Sequence, residues 1–183
     1  PFNPIGTLWP SNIKKDFIHM VEKSVEEIIK GCGFNNGPIN IEARINSEGN
    51  VYIMEIGPRS GGHFVPQAIQ YASGFDTVKA TLDVLLGNKI IVPKQPTKYS
   101  AYYAIHSEID GELVQLNISN RLKPFIREFH QYISTGESVK SFHGANSAIG
   151  ILLMTFDSYN EMENTTSKMH QYIDLKINRV YRS

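Results

Sequence analysis

An α+β fold built on antiparallel sheet is what this sequence predicts, and three observations predict it. Two runs that alternate apolar and polar residues, 39–45 and 51–56, flank the turn Ser47-Glu48-Gly49-Asn50, which is hairpin patterning. Before and after that hairpin, apolar residues recur at three- and four-residue intervals, the signature of amphipathic helices. In the second half, strands and helices interleave without parallel βαβ units, which points to a small α+β subdomain.

Taken in order, the first ten residues, PFNPIGTLWP, read as a linker, and a chain that opens at Pro1 on such a linker is expected to be a fragment of a longer protein. From Ser11 to Gly31 the residues Ile13, Phe17, Met20, Val21, Ile28 and Ile29 mark a helix, capped by Ser11 or Asn12 and stopped at Gly31-Cys32-Gly33. The turn residues at 35–38 lead into the first hairpin strand, whose wet face carries Asn40, Glu42 and Arg44. A two-residue turn at Glu48-Gly49 would place Glu42 directly across from Glu55, with Cβ atoms roughly 5 Å apart. A bulge at Gly49 would shift the register by one and separate them.

After the glycine-rich loop 57–63, residues 64–73 and 75–86 read as two helices broken at Gly74, with Phe75, Val78, Leu82 and Leu85 as the buried stripe of the second. A linker at 92–96 marks a subdomain boundary, dividing 1–93 from 94–183. Beyond it the expected elements are strands at 99–107 and 113–118, a helix at 122–133, a buried strand at 148–156, a helix at 159–171 and a last strand at 172–177.

Composition narrows the function classes. The chain has 183 residues, 41% of them apolar, enough for packed cores. Eighteen basic and eighteen acidic residues are scattered and balanced, so no global field attracts nucleic acid or an anionic membrane, and small molecules are the expected partners. No apolar run approaches the roughly 20 residues of a membrane span. A single cysteine, Cys32, can form neither an internal disulfide nor a zinc cluster and suits a cytoplasmic location.

The chemistry concentrates between Ile39 and Gly62. Two carboxylates opposed on a strand pair repel each other and call for compensation, most simply a divalent cation. Mg²⁺ takes oxygen ligands, typically one or two protein carboxylates completed by water and substrate phosphate, so Glu42 and Glu55 are candidate metal ligands. Arg59 can present its guanidinium fork to phosphate oxygens. Gly61 and Gly62 let backbone N–H groups approach an anion just before a helix N-terminus near Phe64. Each piece alone has a plainer reading, as a solvated glutamate, a surface arginine or a turn; the order and spacing of all of them favour one anionic ligand.

The run IEARINSEGNVYIMEIGPRSGGHFVPQAIQYASGFDTVKATLDVLLG resembles the second half of an ATP-grasp domain, in particular the branch of the carbamoyl-phosphate synthase large subunit and the carboxylate–amine ligases. The resemblance extends over about residues 11–93 and is loose beyond them. It implies the C-terminal half of an ATP-grasp domain followed by a small α+β subdomain, and an ATP-dependent ligase that forms an acyl phosphate and passes it to an amine. By motif position it implies Glu42 and Glu55 as ligands of Mg²⁺ or Mn²⁺ bridging ATP phosphates, with Arg59 as the catalytic residue stabilising the transferred phosphoryl group. Many members carry a metal-binding Asn two residues after the second glutamate; here it is Gly57, which favours the carboxylate–amine ligase branch and weakens a second metal. The glycine loop and lysines that hold nucleotide from the opposite side precede this region in the family. The chain is therefore expected to be inactive alone, with the N-terminal half of its parent as its missing partner, and to be compatible with a homo-oligomer. A non-catalytic ATP- or metal-binding module is the alternative.

His63 is a further candidate for contact with the second substrate or the phosphate, against a plain loop histidine. Arg44 either binds a carboxylate substrate or pairs with a glutamate, and Asn40 either supports a metal ligand or faces water. His106, His143 and His170 lie in separate elements without metal-ligand spacing. Ser60 lacks the context of a hydrolase nucleophile. Trp9 and the aromatics of 99–103 are expected to pack or to line a groove.

Overall fold

The computed structural model describes residues 4–93 and 96–179. It consists of antiparallel sheets with helices packed against them, the α+β class read from the sequence. The elements are β1 (Gly6–Trp9), α1 (Lys15–Cys32), β2 (Asn40–Ile45), β3 (Val51–Gly57), α2 (Val65–Ser73), α3 (Thr77–Leu85), β4 (Tyr99–Ile105), β5 (Gly111–Ile118), β6 (Ile126–Gln131), β7 (Ser138–Val139), β8 (Gly150–Phe156), α4 (Tyr159–Thr166) and β9 (Ile173–Asn178), with short 3₁₀ turns between some of them.

The strands form a four-stranded sheet in the order β1-β4-β8-β6, a three-stranded sheet β7-β5-β9, and the β2-β3 hairpin. β8 is the centre of the core. All seven of its residues are buried, because alternate side chains serve different layers. Leu152, Met154 and Phe156 join Leu113, Val139 and Met162 on the side of the three-stranded sheet and α4. Ile151 and Leu153 join Ala68 of α2 and Tyr102 of β4 on the other. A strand covered on both faces reads as a continuous apolar run, which is why 148–156 was legible.

Several expectations are corrected. The stretch read as an N-terminal linker contains β1, which pairs with β4 from Gly6↔Tyr103 to Trp9↔Ser100; residues 1–3 and 94–95 of the two proposed linkers lie outside the described residues. Helix α1 begins at Lys15 with Lys14 as its cap, not Ser11 or Asn12, and Ile13, Met20 and Ile28 are exposed; its inward line is the buried Val25 with the half-buried Phe17, Val21 and Ile29. The helix expected over 122–133 is a 3₁₀ turn at Lys123–Phe125 followed by strand β6. Its apolar spacing fitted a helix, but Pro124 sits within the short turn and the edge strand turns Glu128 and His130, not an apolar stripe, toward α2 and the residue before it. The helix expected over 159–171 ends at Thr166 and resumes as a 3₁₀ turn at Met169–Gln171. In α3, Val78, Leu82 and Leu85 are 55%, 56% and 78% exposed rather than buried. An amphipathic pattern marks a stripe on a helix but not whether another element covers it.

Candidate functional site in a cleft beside the hairpin

The β2–β3 hairpin explains how the two glutamates meet. Asn46 organises the turn: its N–H donates to the Asn50 carbonyl at 3.0 Å, its carbonyl accepts from Gly49 N–H at 3.0 Å, and its side-chain oxygen accepts from the N–H groups of Glu48 and Asn50 at 3.1 and 2.8 Å. The loop is therefore the three residues Ser47, Glu48 and Gly49, with Gly49 at φ +87°, a left-handed position suited to glycine.

A three-residue loop sets the register at Ile45↔Val51, Arg44↔Tyr52 and Ala43↔Ile53. Continued unchanged, it would put Met54 opposite Glu42 and turn Glu55 to the face shared by Val51 and Ile53. A bulge at Met54 shifts the register back, giving Glu42↔Glu55, Ile41↔Ile56 and Asn40↔Gly57. Two offsets thus cancel, and consecutive residues Met54 and Glu55 are both exposed. The sequence reading reached the correct pairing of Glu42 with Glu55 through a simpler turn than the one observed.

Around this pair lies an open cleft of about 720 Å³. The hairpin and the loop after it contribute Glu42, Arg44, Glu55, Arg59 and His63, and the opposing strands contribute Thr7 of β1 and Tyr102 of β4. Arg44 pairs with Glu42 at 3.1 Å along the same strand; no described residue forms an ion pair with Glu55. Arg59 is set by its N–H donating to the Gly57 carbonyl at 2.8 Å and its Nη1 donating to the Ser60 carbonyl at 2.9 Å. Asn40 and Gly62 also border the cleft, whereas Gly61 lies against a separate apolar pocket of about 270 Å³ that includes Pro38, Ile69 and Phe75.

The loop between β3 and α2 is tightly built. A Cβ on Gly61 would lie 2.9 Å from the Cβ of Val65, so only glycine lets the loop fold back on the helix. His63 and Phe64 follow with φ of 51° and 61°, two successive left-handed non-glycine residues, an arrangement that costs free energy and is found where surrounding contacts enforce it. His63 stacks on Tyr102 with ring centroids 6.1 Å apart, and Phe64 stacks on His130 at 4.5 Å.

The donor set fits a hard divalent cation held partly by its ligand. Among the described residues no group of three or more His, Cys, Asp or Glu side chains gathers for a metal, which excludes an all-protein cage there but suits a pair of carboxylates completed by phosphate and water. Sequence reasoning found the hairpin and loop side of the cleft. It missed Thr7, whose segment read as linker, and it gave Tyr102 only as one of several groove or packing aromatics. The alternation in Gly6-Thr7-Leu8-Trp9 was the available signal.

No family model matches the chain. It is 22% identical over 155 residues to the uncharacterized protein y4rH of Sinorhizobium fredii (strain NBRC 101917 / NGR234), covering 84% of this chain and 32% of that protein. Among solved structures it superposes on an L-amino acid ligase from Bacillus licheniformis with a TM-score of 0.84 at 18% identity, covering 97% of this chain and 45% of the ligase. It also matches a phosphoribosylglycinamide synthetase from Anaerococcus prevotii, with a TM-score of 0.78 at 21% identity, over 96% of this chain and 46% of the synthetase. The biotin carboxylase domain of Hydrogenobacter thermophilus 2-oxoglutarate carboxylase, solved with MgADP, ADP and bicarbonate, superposes with a TM-score of 0.66 at 14% identity, over 94% of this chain and 39% of that one. The chain spans less than half the length of these structures and about a third of its curated relative. Its fold is that of part of these ligase and carboxylase structures, in agreement with the fold that the resemblance seen in the sequence implies. Among the described residues no helix is long and apolar enough to cross a membrane.

Proposed function

We propose that this chain forms the metal- and phosphate-holding wall of an ATP-dependent ligase that activates a carboxylate as an acyl phosphate and transfers it to an amine. The observation that carries the reading is the bulge-corrected pairing of Glu42 with Glu55 beside Arg59, at the edge of one cleft. The task divides between residues 1–93, which hold the hairpin and glycine loop, and 94–183, although β1 and α2 from the first part pack on β4 of the second.

In this reading Glu42 and Glu55 hold Mg²⁺ or Mn²⁺ against the ATP phosphates. When bound, the cation neutralises phosphate charge and polarises the transferred group. Arg59 directs its fork at the γ-phosphoryl group as it moves from ATP to a carboxylate oxygen, releasing ADP. An amine then attacks the acyl carbon of the acyl phosphate; inorganic phosphate leaves with the bonding electrons, and the amine gives up a proton. His63 and Arg44 contact the carboxylate or amine substrate, with Arg44 exchanging its pairing to Glu42 for that contact. The protein supplies positioning and electrostatic stabilisation and no covalent nucleophile. Bicarbonate and carbamate are carboxylates of the same chemistry, so a carbamoyl-phosphate synthase-like reaction belongs to this proposal.

The nucleotide's other wall, in this proposal, comes from a preceding N-terminal half, without which the fragment is inactive. A non-catalytic ATP- or metal-binding module is the second reading, left open by Gly57 where a further metal-binding side chain would stand, while Glu42, Glu55 and Arg59 argue against it. The test is ADP formation by the longer protein containing this chain, assayed against a panel of carboxylates and amines with Glu55→Gln as control. ADP release that needs both a carboxylate and an amine, and that the substitution abolishes, supports the ligase. Tight Mg²⁺–ATP binding with no turnover on any pair supports the module, and neither binding nor turnover removes both.

A further inference from the structure

His130 lies on β6, outside the cleft, yet it is linked to the cleft by an unbroken series of contacts. Its Nε2 meets Oε2 of Glu128 at 2.6 Å, and Oε1 of Glu128 accepts a hydrogen bond from the Tyr71 hydroxyl of α2. The imidazole face stacks on Phe64 at 4.5 Å with 22° between the planes. Phe64 and the preceding His63 are the two left-handed residues of the glycine loop, and His63 borders the cleft and stacks on Tyr102.

A pair of non-glycine residues in the left-handed region relaxes unless its side chains are held. Among the described residues, the backbone hydrogen bonds across the turn are Val65 N–H to the Gly62 carbonyl at 3.1 Å and Ala68 N–H to the Phe64 carbonyl at 2.9 Å. Neither bond fixes the direction of the His63 ring. The two stacks do that, one on each side of the turn, and the stack on His130 is fixed in turn by two hydrogen bonds of Glu128. The carboxyl of Glu128 sits below its ordinary range because the Tyr71 hydroxyl and then the His130 imidazole hydrogen-bond to it, so it is held ionised as an acceptor for both. Sequence periodicity gave no hint of this, since the segment containing His130 fitted a helix.

We propose that His130, oriented by Glu128 and Tyr71, is a positioning residue that braces Phe64 and thereby sets where His63 stands in the cleft. The inference rests on the proposed function only for its consequence in binding; the bracing itself is a property of the fold. Direct partners of metal ligands typically cost about 10–100-fold in affinity or activity when removed, and His130, which acts on His63 through Phe64, is expected toward the lower end of that range.

The test uses nuclear magnetic resonance of the 183-residue chain, reading the His63 ring protons, on which the Tyr102 ring 6.1 Å away should exert a ring-current shift. His130→Ala should move those protons back toward the position of an unstacked histidine while the amide signals of β8 stay dispersed. His130→Phe, which keeps an aromatic face for Phe64, should retain the shift, and Glu128→Gln should lose part of it. In the longer protein, His130→Ala should weaken Mg²⁺–ATP binding or turnover about tenfold or more, with His130→Phe recovering most of it. His63 signals unchanged in His130→Ala, or lost equally in His130→Phe, would overturn the bracing. Signals that respond as expected in a protein that never binds Mg²⁺–ATP would instead overturn the functional reading alone.

Discussion

β3 and β8 are both seven-residue strands, and they divide the work of the molecule between them. β8 is buried along its whole length and joins two hydrophobic clusters. β3 buries no residue fully and turns two consecutive side chains, Met54 and Glu55, outward through a bulge. One strand spends every side chain on packing. The other gives up regular pairing to place a carboxylate. The proposed chemistry sits on the less buried of the two strands, so substitutions that damage stability and substitutions that damage ligand binding should fall on different strands.

Four changes sharpen or break that contrast. Leu152→Ala in β8 should have the largest effect on stability, about 2–5 kcal/mol, from lost transfer energy and a cavity between the two sheets. Urea unfolding measures it, and a loss under about 1 kcal/mol would mean the core can collapse around the gap. Gly61→Ala should cost about 1–3 kcal/mol by forcing a Cβ into Val65, while also disturbing the loop at the cleft; a crystal structure of the variant would show the displaced loop.

Tyr71→Phe should cost about 0.5–1.5 kcal/mol, the usual net worth of one hydrogen bond, and its signature is in the pH dependence. The Tyr71 hydroxyl, more than His130, holds the Glu128 carboxyl below its ordinary range, so that stabilisation exists above the unfolded carboxylate range and disappears as pH falls through the depressed value. The Glu128 carboxylate raises Tyr71, so the phenol's share exists below its unfolded value and disappears as pH rises through the raised one. Stability curves of the wild type should fall at both ends, and Tyr71→Phe should flatten the alkaline fall and reduce the acid one. Glu55→Gln should have the smallest effect on stability, within about 0.5 kcal/mol, because Glu55 is exposed with no described ion-pair partner. Its effect on divalent-dependent nucleotide binding should nevertheless be the largest of the four, which isothermal titration of the longer protein would measure.

The sequence made the antiparallel hairpin, the buried strand at 148–156 and the pairing of Glu42 with Glu55 legible, because each depends on local alternation or on a short turn. It did not reveal how that pairing arises. The Asn46-centred turn and the bulge at Met54 are opposite offsets, and a pattern of apolar and polar residues records only their sum. β6 was hidden for a different reason: Leu122, Phe125, Ile126, Phe129 and Ile133 share helical spacing, while the contacts that decide the strand, with β8 and with Tyr71, come from distant parts of the chain. The exposed stripe of α3 and the strand β1 were likewise settled by what is near in space. Thr7 and Tyr102 entered the cleft only once β1 and β4 were paired.

Paramagnetic broadening by Mn²⁺, added with a non-hydrolysable ATP analogue, tests most directly whether the bulge exists to bring two carboxylates onto one cation. In the longer protein, signals of Glu42 and Glu55 should broaden first and together, and Glu55→Gln, which removes one of the two paired carboxylates, should abolish that broadening while β8 stays folded. Broadening that survives the substitution, or that appears elsewhere and leaves Glu42 and residue 55 sharp, would contradict the account.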